Sequence, residues 1–143
     1  MTTTRITQND LARRCVRDAV RQGIVGCGPE APLSEVARLM SEHRIHCVIV
    51  GRLRVDAHGS RLVWGVVSDL DLASAAATGE TLTAGQVAAT EPLAAAPSDS
   101  LADVARMMAE HEVAHLVVVD ERDGEPTGVI STLDVARALA EAG

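Results

Sequence analysis

The feature that most constrains the fold of this chain is that it states the same pattern twice. Gly65-Val66-Val67-Ser68-Asp69-Leu70-Asp71 returns as Gly128-Val129-Ile130-Ser131-Thr132-Leu133-Asp134. Each copy reads as the end of an apolar strand, a serine, an aspartate three residues on, and an Ala- and Leu-rich helical pattern. The repetition extends upstream. A shift of 68 residues places Pro29, Leu33, Val36, Ala37, Arg38, Met40, Glu42 and His43 on Pro97, Leu101, Val104, Ala105, Arg106, Met108, Glu110 and His111. Past the intervening loop the shift becomes 63, and Gly65, Val66, Ser68, Leu70, Asp71 and Ala73 meet identical residues. The five-residue difference is a longer hairpin in the first copy. Each copy is β-α-β-β-α, too short to bury enough apolar surface comfortably alone. Two copies stacking their sheets about a pseudo-two-fold axis solve that problem, so the expected class is α+β.

Periodicity supplies the elements. Leu11, Ala12, Cys15, Val16, Ala19 and Val20 share one helical face, predicting a helix from about Thr7–Asp10 to Gln22. Ile24-Val25 reads as a short strand and Gly26 to Pro32 as a turn. Leu33, Val36, Ala37 and Met40 mark a helix ending near His43-Arg44. Ile45 to Val50 reads as a buried strand. Gly51 to Ser60 comes next as a polar connection in which Leu53-Arg54-Val55 could extend the strand. Arg61 to Val67 is the next strand and Asp69 to about Ala77 a helix. In the second copy Thr83 to Ala89 is a helical turn and Leu93 to Ala95 a strand. A helix starts at Pro97-Ser98-Asp99, strands run from Val113 to Val119 and Thr127 to Ile130, and Leu133 to Ala142 closes the chain. The domain reading is an N-terminal arm and amphipathic helix over 1–22, a first repeat over 15–78 and a second over 83–141.

Composition narrows the function. The chain carries a net charge of −7 and one aromatic residue, Trp64. Both facts argue against nucleic acid as a partner, since neither a basic surface nor a stacking platform is available. All 13 basic residues are arginine. Five of them, Arg5, Arg13, Arg14, Arg17 and Arg21, lie in the first 22 residues, either as a partner-contacting face or as the solvated side of a packed helix. Cys15, Cys27 and Cys47 are odd in number without CxxC spacing, so they read as small buried hydrophobes in a reducing compartment. No signal-peptide pattern is visible and no apolar run approaches the ~18 residues of a membrane span, so a cytoplasmic location is expected.

The residues that carry chemistry cluster in the repeated motif. Ser68 with Asp71, and Ser131 with Asp134, place a hydroxyl and a carboxylate on the first turn of a helix. There they can bind a polar ligand, or simply cap the helix, the serine to the third N–H and the aspartate back to the serine N–H. His43, His46, Cys47, His111 and His115 are metal-donor types, but His43 and His111 fall where a helix dipole favours imidazole at a C-terminus. No metal site is assigned. Asp69 and Asp71 diverge on a helix and make no acid–base pair. Nucleophile elbow, Walker A and HExxH patterns are all missing, so no catalytic residue is assigned and the chain is read as a non-enzyme.

The repeat, the Leu-x-x-Val-Ala-x-x-Met helix, the apolar hairpin and the doubled Gly-h-h-Ser-x-x-Asp together resemble a tandem pair of CBS domains, a Bateman module, over about residues 15–141. That resemblance implies a stand-alone regulatory module of the energy-sensing kind, holding AMP, ADP, ATP or S-adenosylmethionine in a cleft between the repeats. Occupancy would be signalled to a regulated partner by population shift. It implies that Asp71 and Asp134 accept from ribose hydroxyls and that Ser68 and Ser131, with the helix N-termini, face phosphate. It also implies that Val25, Leu93, Val66 and Val129 flank the base. His46 and His115 stand near the second-strand start, where many nucleotide-binding members carry His or Arg. Where the family often has Pro in that strand, this chain has Ile49 and Val117. No cofactor is required, and a homodimer is the expected assembly. The other readings are a ligand-free interaction module acting through its Arg-rich N-terminal helix, or a zinc-binding stress protein.

Overall fold

A computed structural model describes residues 11–88 and 92–142. In chain order the elements are α1 (Val16–Ala19), β1 (Arg21–Gln22), β2 (Gly26–Cys27), α2 (Leu33–His43), β3 (Cys47–Asp56), β4 (Gly59–Ser68) and α3 (Asp69–Thr78). They continue with α4 (Ala84–Val87), β5 (Ala94–Ala95), α5 (Leu101–His111), β6 (His115–Val119), β7 (Pro126–Ser131) and α6 (Thr132–Ala142). The expected α+β class and the two β-α-β-β-α repeats are present: β2-α2-β3-β4-α3 and β5-α5-β6-β7-α6. No helix among the described residues is long and apolar enough to cross a membrane.

The chain forms two compact units that do not follow the chain's linear division. One is Ile24–Pro92; the other joins the segment ending at Gly23 to the chain from Leu93 onward. In the first, β2 runs parallel to β3 and β3 antiparallel to β4. Val36 and Met40 of α2 pack on Val48, Val50 and Val67. In the other unit the strand order is β1-β7-β6-β5, and Leu101, Val104 and Met108 of α5 pack on Leu116, Val118 and Ile130. In both sheets the core side alternates with a second face, as a two-residue side-chain period requires.

A reciprocal exchange explains the division. The turn preceding each repeat is bonded to the other repeat. Val16 N–H donates to Asp99 O at 2.9 Å and Arg17 N–H to Pro97 O at 3.0 Å. The matching residues 68 positions on do the converse: Ala84 N–H donates to Ala31 O at 2.8 Å and Gly85 N–H to Pro29 O at 2.9 Å. Val16 and Ala84 are both fully buried, each in the core of the unit it joins. At Gly85 a Cβ would lie 2.7 Å from Pro29 Cβ and 2.9 Å from Pro29 O, so a side chain there would have to push Pro29 away.

This exchange corrects the expected long N-terminal helix. Leu11 and Ala12 are helical, but the chain breaks at Arg13–Cys15 before α1. The reason is competition for backbone groups. Arg14 O accepts from Leu101 N–H at 2.9 Å, and Cys15 makes a bridge to Ser100, so these residues are extended rather than helical. Arg14 also turns inward, pairing with Glu141 at 2.8 Å and donating to Ala138 O at 3.3 Å at the end of α6. The expected helix start at Thr7–Asp10, and Arg5, lie outside the described residues.

Three smaller corrections have similar causes. The strand expected at Ile24-Val25 sits at Gly26–Cys27, where the parallel register to Ile49 and Val50 places it. The expected connection Gly51–Ser60 is instead a paired ribbon: β3 and β4 stay in register to Asp56 and Gly59 around a two-residue turn, with Gly59 at φ +114°. Its polar composition is that of an exposed hairpin, not of a loop. The helix expected from Pro97 begins at Leu101, because Ser100 is the residue whose side chain accepts from the third N–H, that of Asp103. Both α2 and α5 end on a non-glycine in the left-handed region, Arg44 and Glu112, each at φ 54°. The repetition of that conformation 68 residues apart shows it is built into the fold.

Candidate functional site

Each repeat turns from its last strand into its last helix at the serine of the repeated motif. In the first copy Ser68 is the N-cap of α3. Its Oγ accepts from Asp71 N–H at 3.1 Å, and Asp71 Oδ2 accepts from Ser68 N–H at 2.8 Å. In the second copy Asp134 Oδ2 accepts from Ser131 N–H at 2.8 Å and from Ser131 Oγ at 3.0 Å, while Asp134 N–H lies 3.4 Å from Ser131 Oγ. Capping is thus realised in both copies. It uses one carboxylate oxygen of each aspartate; among the described residues, Asp71 Oδ1 takes no hydrogen bond.

The helix N-terminus is largely committed. The first helical N–H also finds a partner in each copy: Asp69 N–H donates to His46 O at 2.9 Å and Thr132 N–H to Ala114 O at 2.8 Å. Of the four backbone donors a helix start leaves over, three are satisfied internally in the first copy. The N–H of Leu70 is the remaining one. Anion affinity there must come mainly from side chains.

Of the apolar residues assigned to base contact, Val66 and Val129 take matching positions across from the middle strand of each repeat. Ile49 is the register partner of Val66, and its N–H donates to Val25 O at 3.0 Å. Val117 is the register partner of Val129, and its N–H donates to Leu93 O at 3.3 Å. So Gly26, Ile49 and Val66 form one row, and Ala94, Val117 and Val129 the matching row; Val25 and Leu93 stand one residue before these rows and meet them through backbone carbonyls, Leu93 packing against the core. Val66 and Ser68 are two apart on one strand, hence on the same sheet face, opposite the core residue Val67. Val129 and Ser131 repeat that relation.

The histidines differ between copies. His46 precedes β3, and its Nδ1 is 2.9 Å from Asp69 Oδ2, both side chains being exposed. His115 is the first residue of β6 and the register partner of Ser131. Two side chains beside these motifs were not among the residues expected from sequence. One is Asp69 as the partner of His46, a contact across 23 residues that local pattern does not show. The other is Arg137, whose Nη1 lies 3.7 Å from Asp134 Oδ1. Its i+3 spacing from Asp134 was the available signal. Cys47, paired in register with Ser68, is buried, and burial together with the nearby Asp69 carboxylate pushes its thiol up to about 11. It is a structural side chain rather than a nucleophile. Among the described residues no group of three or more His, Cys, Asp or Glu is gathered as a metal site requires.

Comparison with known proteins places this geometry. The CBS domain profile matches residues 16–78 and 84–141. Hypoxic response protein 1 of Mycobacterium tuberculosis is 28% identical over 129 residues, spanning 87% of this chain and 85% of its own. A structure of that protein, solved with two coordinated zinc ions, has a TM-score of 0.68 at 26% identity and spans 87% of this chain and 98% of the other. The CBS domain pair of protein MJ0100, solved with 5′-methylthioadenosine and S-adenosyl-L-methionine, gives a TM-score of 0.77 over 91% of this chain and 98% of the other; at 22% identity it speaks to the fold. CBSX2 in complex with AMP gives 0.72 at 26% identity over 89% and 96%. With both repeats matched along nearly their whole length, the chain belongs to the CBS domain family and carries two CBS domains in tandem.

Proposed function

We propose that this CBS pair is a non-catalytic regulatory module that binds an adenosine-containing ligand and reports its occupancy to a partner protein. The observation that carries the proposal is the division of labour at Asp71. One carboxylate oxygen closes the cap, and the other remains available to accept from a vicinal ribose hydroxyl. The row Ile49 and Val66 runs beside it as apolar surface for a purine, with the Val25 backbone at its edge. Asp134 with Val117 and Val129, and the Leu93 backbone at their edge, offers a second such place. His46 and His115 flank these positions. The AMP complex of CBSX2, 26% identical, supports adenosine compounds as the ligand class, with AMP, ADP, ATP and S-adenosylmethionine as the candidates.

The module acts by population shift. A ligand moves the partner-facing state only by its differential affinity for the two states. A micromolar ligand has about 8 kcal/mol of binding free energy from which that difference can be drawn. We further propose a cytoplasmic homodimer. Leu70 and Leu133, at matching helix positions, are 71% and 56% exposed and supply apolar surface for association.

Thermal unfolding against AMP, ADP, ATP, S-adenosylmethionine, NAD, cyclic dinucleotides and zinc tests the proposal. At 100 times its dissociation constant a ligand stabilises the fold by about 2.7 kcal/mol. An adenosine compound whose shift disappears in Asp71→Ala or Asp134→Ala supports the proposal. No shift from any of them, in protein free of co-purified nucleotide, leaves the Ser–Asp pairs as caps alone.

A further inference from the structure

We infer that the two repeats prefer adenosine ligands of different charge: the second repeat a ligand with a 5′-phosphate, the first an uncharged or cationic one. This rests on the adenosine proposal above and adds to it the sign of the ligand at each copy. The copies can be compared residue by residue because the same backbone bonds frame both. Asp69 N–H donates to His46 O, and Thr132 N–H to Ala114 O. Ser68 and Ser131 take the same capping role. Within that shared frame the charges differ. The first copy has Asp69 beside Asp71 and places His46 against Asp69. The second has Thr132 and Ala114 at those positions, and so a single carboxylate.

One turn further on the difference grows. Arg137 stands 3.7 Å from Asp134, and the matching residue of the first copy is Ser74. Asp134 is mostly buried, with 12% of its side chain exposed, whereas Arg137 is 52% exposed. A guanidinium has five donors, and this one is engaged on the side facing Asp134, so the others remain for phosphate oxygens. Because the helix starts spend most of their own donors on the cap and on the carbonyl just before the neighbouring strand, these side chains set the preference. The first copy sets two carboxylates, Asp69 and Asp71, near its cap, while the second balances its one carboxylate with Arg137.

Isothermal titration of the full chain with adenosine and with AMP tests this. Asp71→Ala is used to read the second copy, and Asp134→Ala to read the first. AMP should bind the Asp71→Ala protein more tightly than the Asp134→Ala protein. Arg137→Ser, added to Asp71→Ala, should weaken AMP about tenfold and leave adenosine within about twofold, as loss of a charged hydrogen bond does. Arg137→Lys should restore part of the loss. Asp69→Thr, added to Asp134→Ala, should strengthen AMP relative to adenosine. Both Arg137 and Asp69 are exposed, so these changes spare the core. An AMP-to-adenosine ratio that neither Arg137→Ser nor Asp69→Thr moves overturns the charge assignment while adenosine binding stands. Failure of wild-type protein to bind either compound overturns the adenosine proposal and the assignment with it.

Discussion

Val16 offers the sharpest test of how this fold is held together. It is the first residue of a four-residue helical turn, fully buried against the repeat that begins at Leu93. Val16→Ala removes two buried carbons, about 1.6 kcal/mol at about 0.8 kcal/mol each. The neighbours Leu101, Leu116 and Ile130 are themselves fully enclosed, so the site can relax only in part. An unrelaxed volume of roughly 30 Å³ adds about 0.7 kcal/mol. The expected loss is therefore about 2–2.5 kcal/mol, a large share of the roughly 5–15 kcal/mol that stabilises a domain. In thermal unfolding followed by far-ultraviolet circular dichroism, that is a fall of about 5–10 °C. The neighbouring, exposed Arg17→Ala is the control and should stay within about 0.5 kcal/mol. If Val16→Ala also costs less than about 0.5 kcal/mol, and deletion of residues 1–22 leaves the transition in place, the arm is a detachable appendage. The exchange of turns between repeats would then contribute nothing to stability. The same reasoning bears on any truncation used to look for partner binding by the arginines of this segment. Removing residues 1–22 also removes Val16 and β1, so lost binding would report a damaged fold.

Four further outcomes are expected. Ser68→Ala should cost about 1 kcal/mol in urea unfolding and Ser68→Gly only a few tenths, the signature of a cap; equal losses would contradict the capping role. Gly85→Ala should destabilise by about 1–3 kcal/mol, because its Cβ would overlap Pro29; a neutral result in the same assay would show that the approach can relax. Arg44→Gly and Glu112→Gly should each stabilise by about 0.5–1 kcal/mol, relieving a left-handed non-glycine cap, as a raised denaturation midpoint would show. Cys47 gives a pH dependence. Its thiol is raised from 9.0 to about 11 in the folded state, so below pH 9 both states keep the proton and stability is flat in this group. Between pH 9 and about 11 the unfolded thiol ionises first and stability falls as pH rises. Cys47→Ala should flatten that segment of the stability curve, and a thiol reagent at neutral pH should leave Cys47 unmodified until the chain unfolds.

The doubled β-α-β-β-α order, the boundaries of α2 and α3 to within about a residue, and both Ser–Asp caps are legible in the residues alone. These depend on interactions within a turn or two of the chain: apolar side chains at i, i+3 and i+4, and a serine reaching the third N–H of its own helix. Where the turns before each repeat go depends on long-range packing. Residues 14–17 have helical periodicity, but Asp99 and Leu101 compete for their backbone bonds, and no local pattern records a partner so far along the chain. The long β3–β4 ribbon escaped for a related reason, since its pairing replaces the polar loop that its composition suggests. The same holds for the charge around each aspartate. The contact of His46 with Asp69 exists because β3 and β4 run side by side, and that juxtaposition, unlike the capping of Ser68 by Asp71, is a property of the folded sheet rather than of the sequence near either residue.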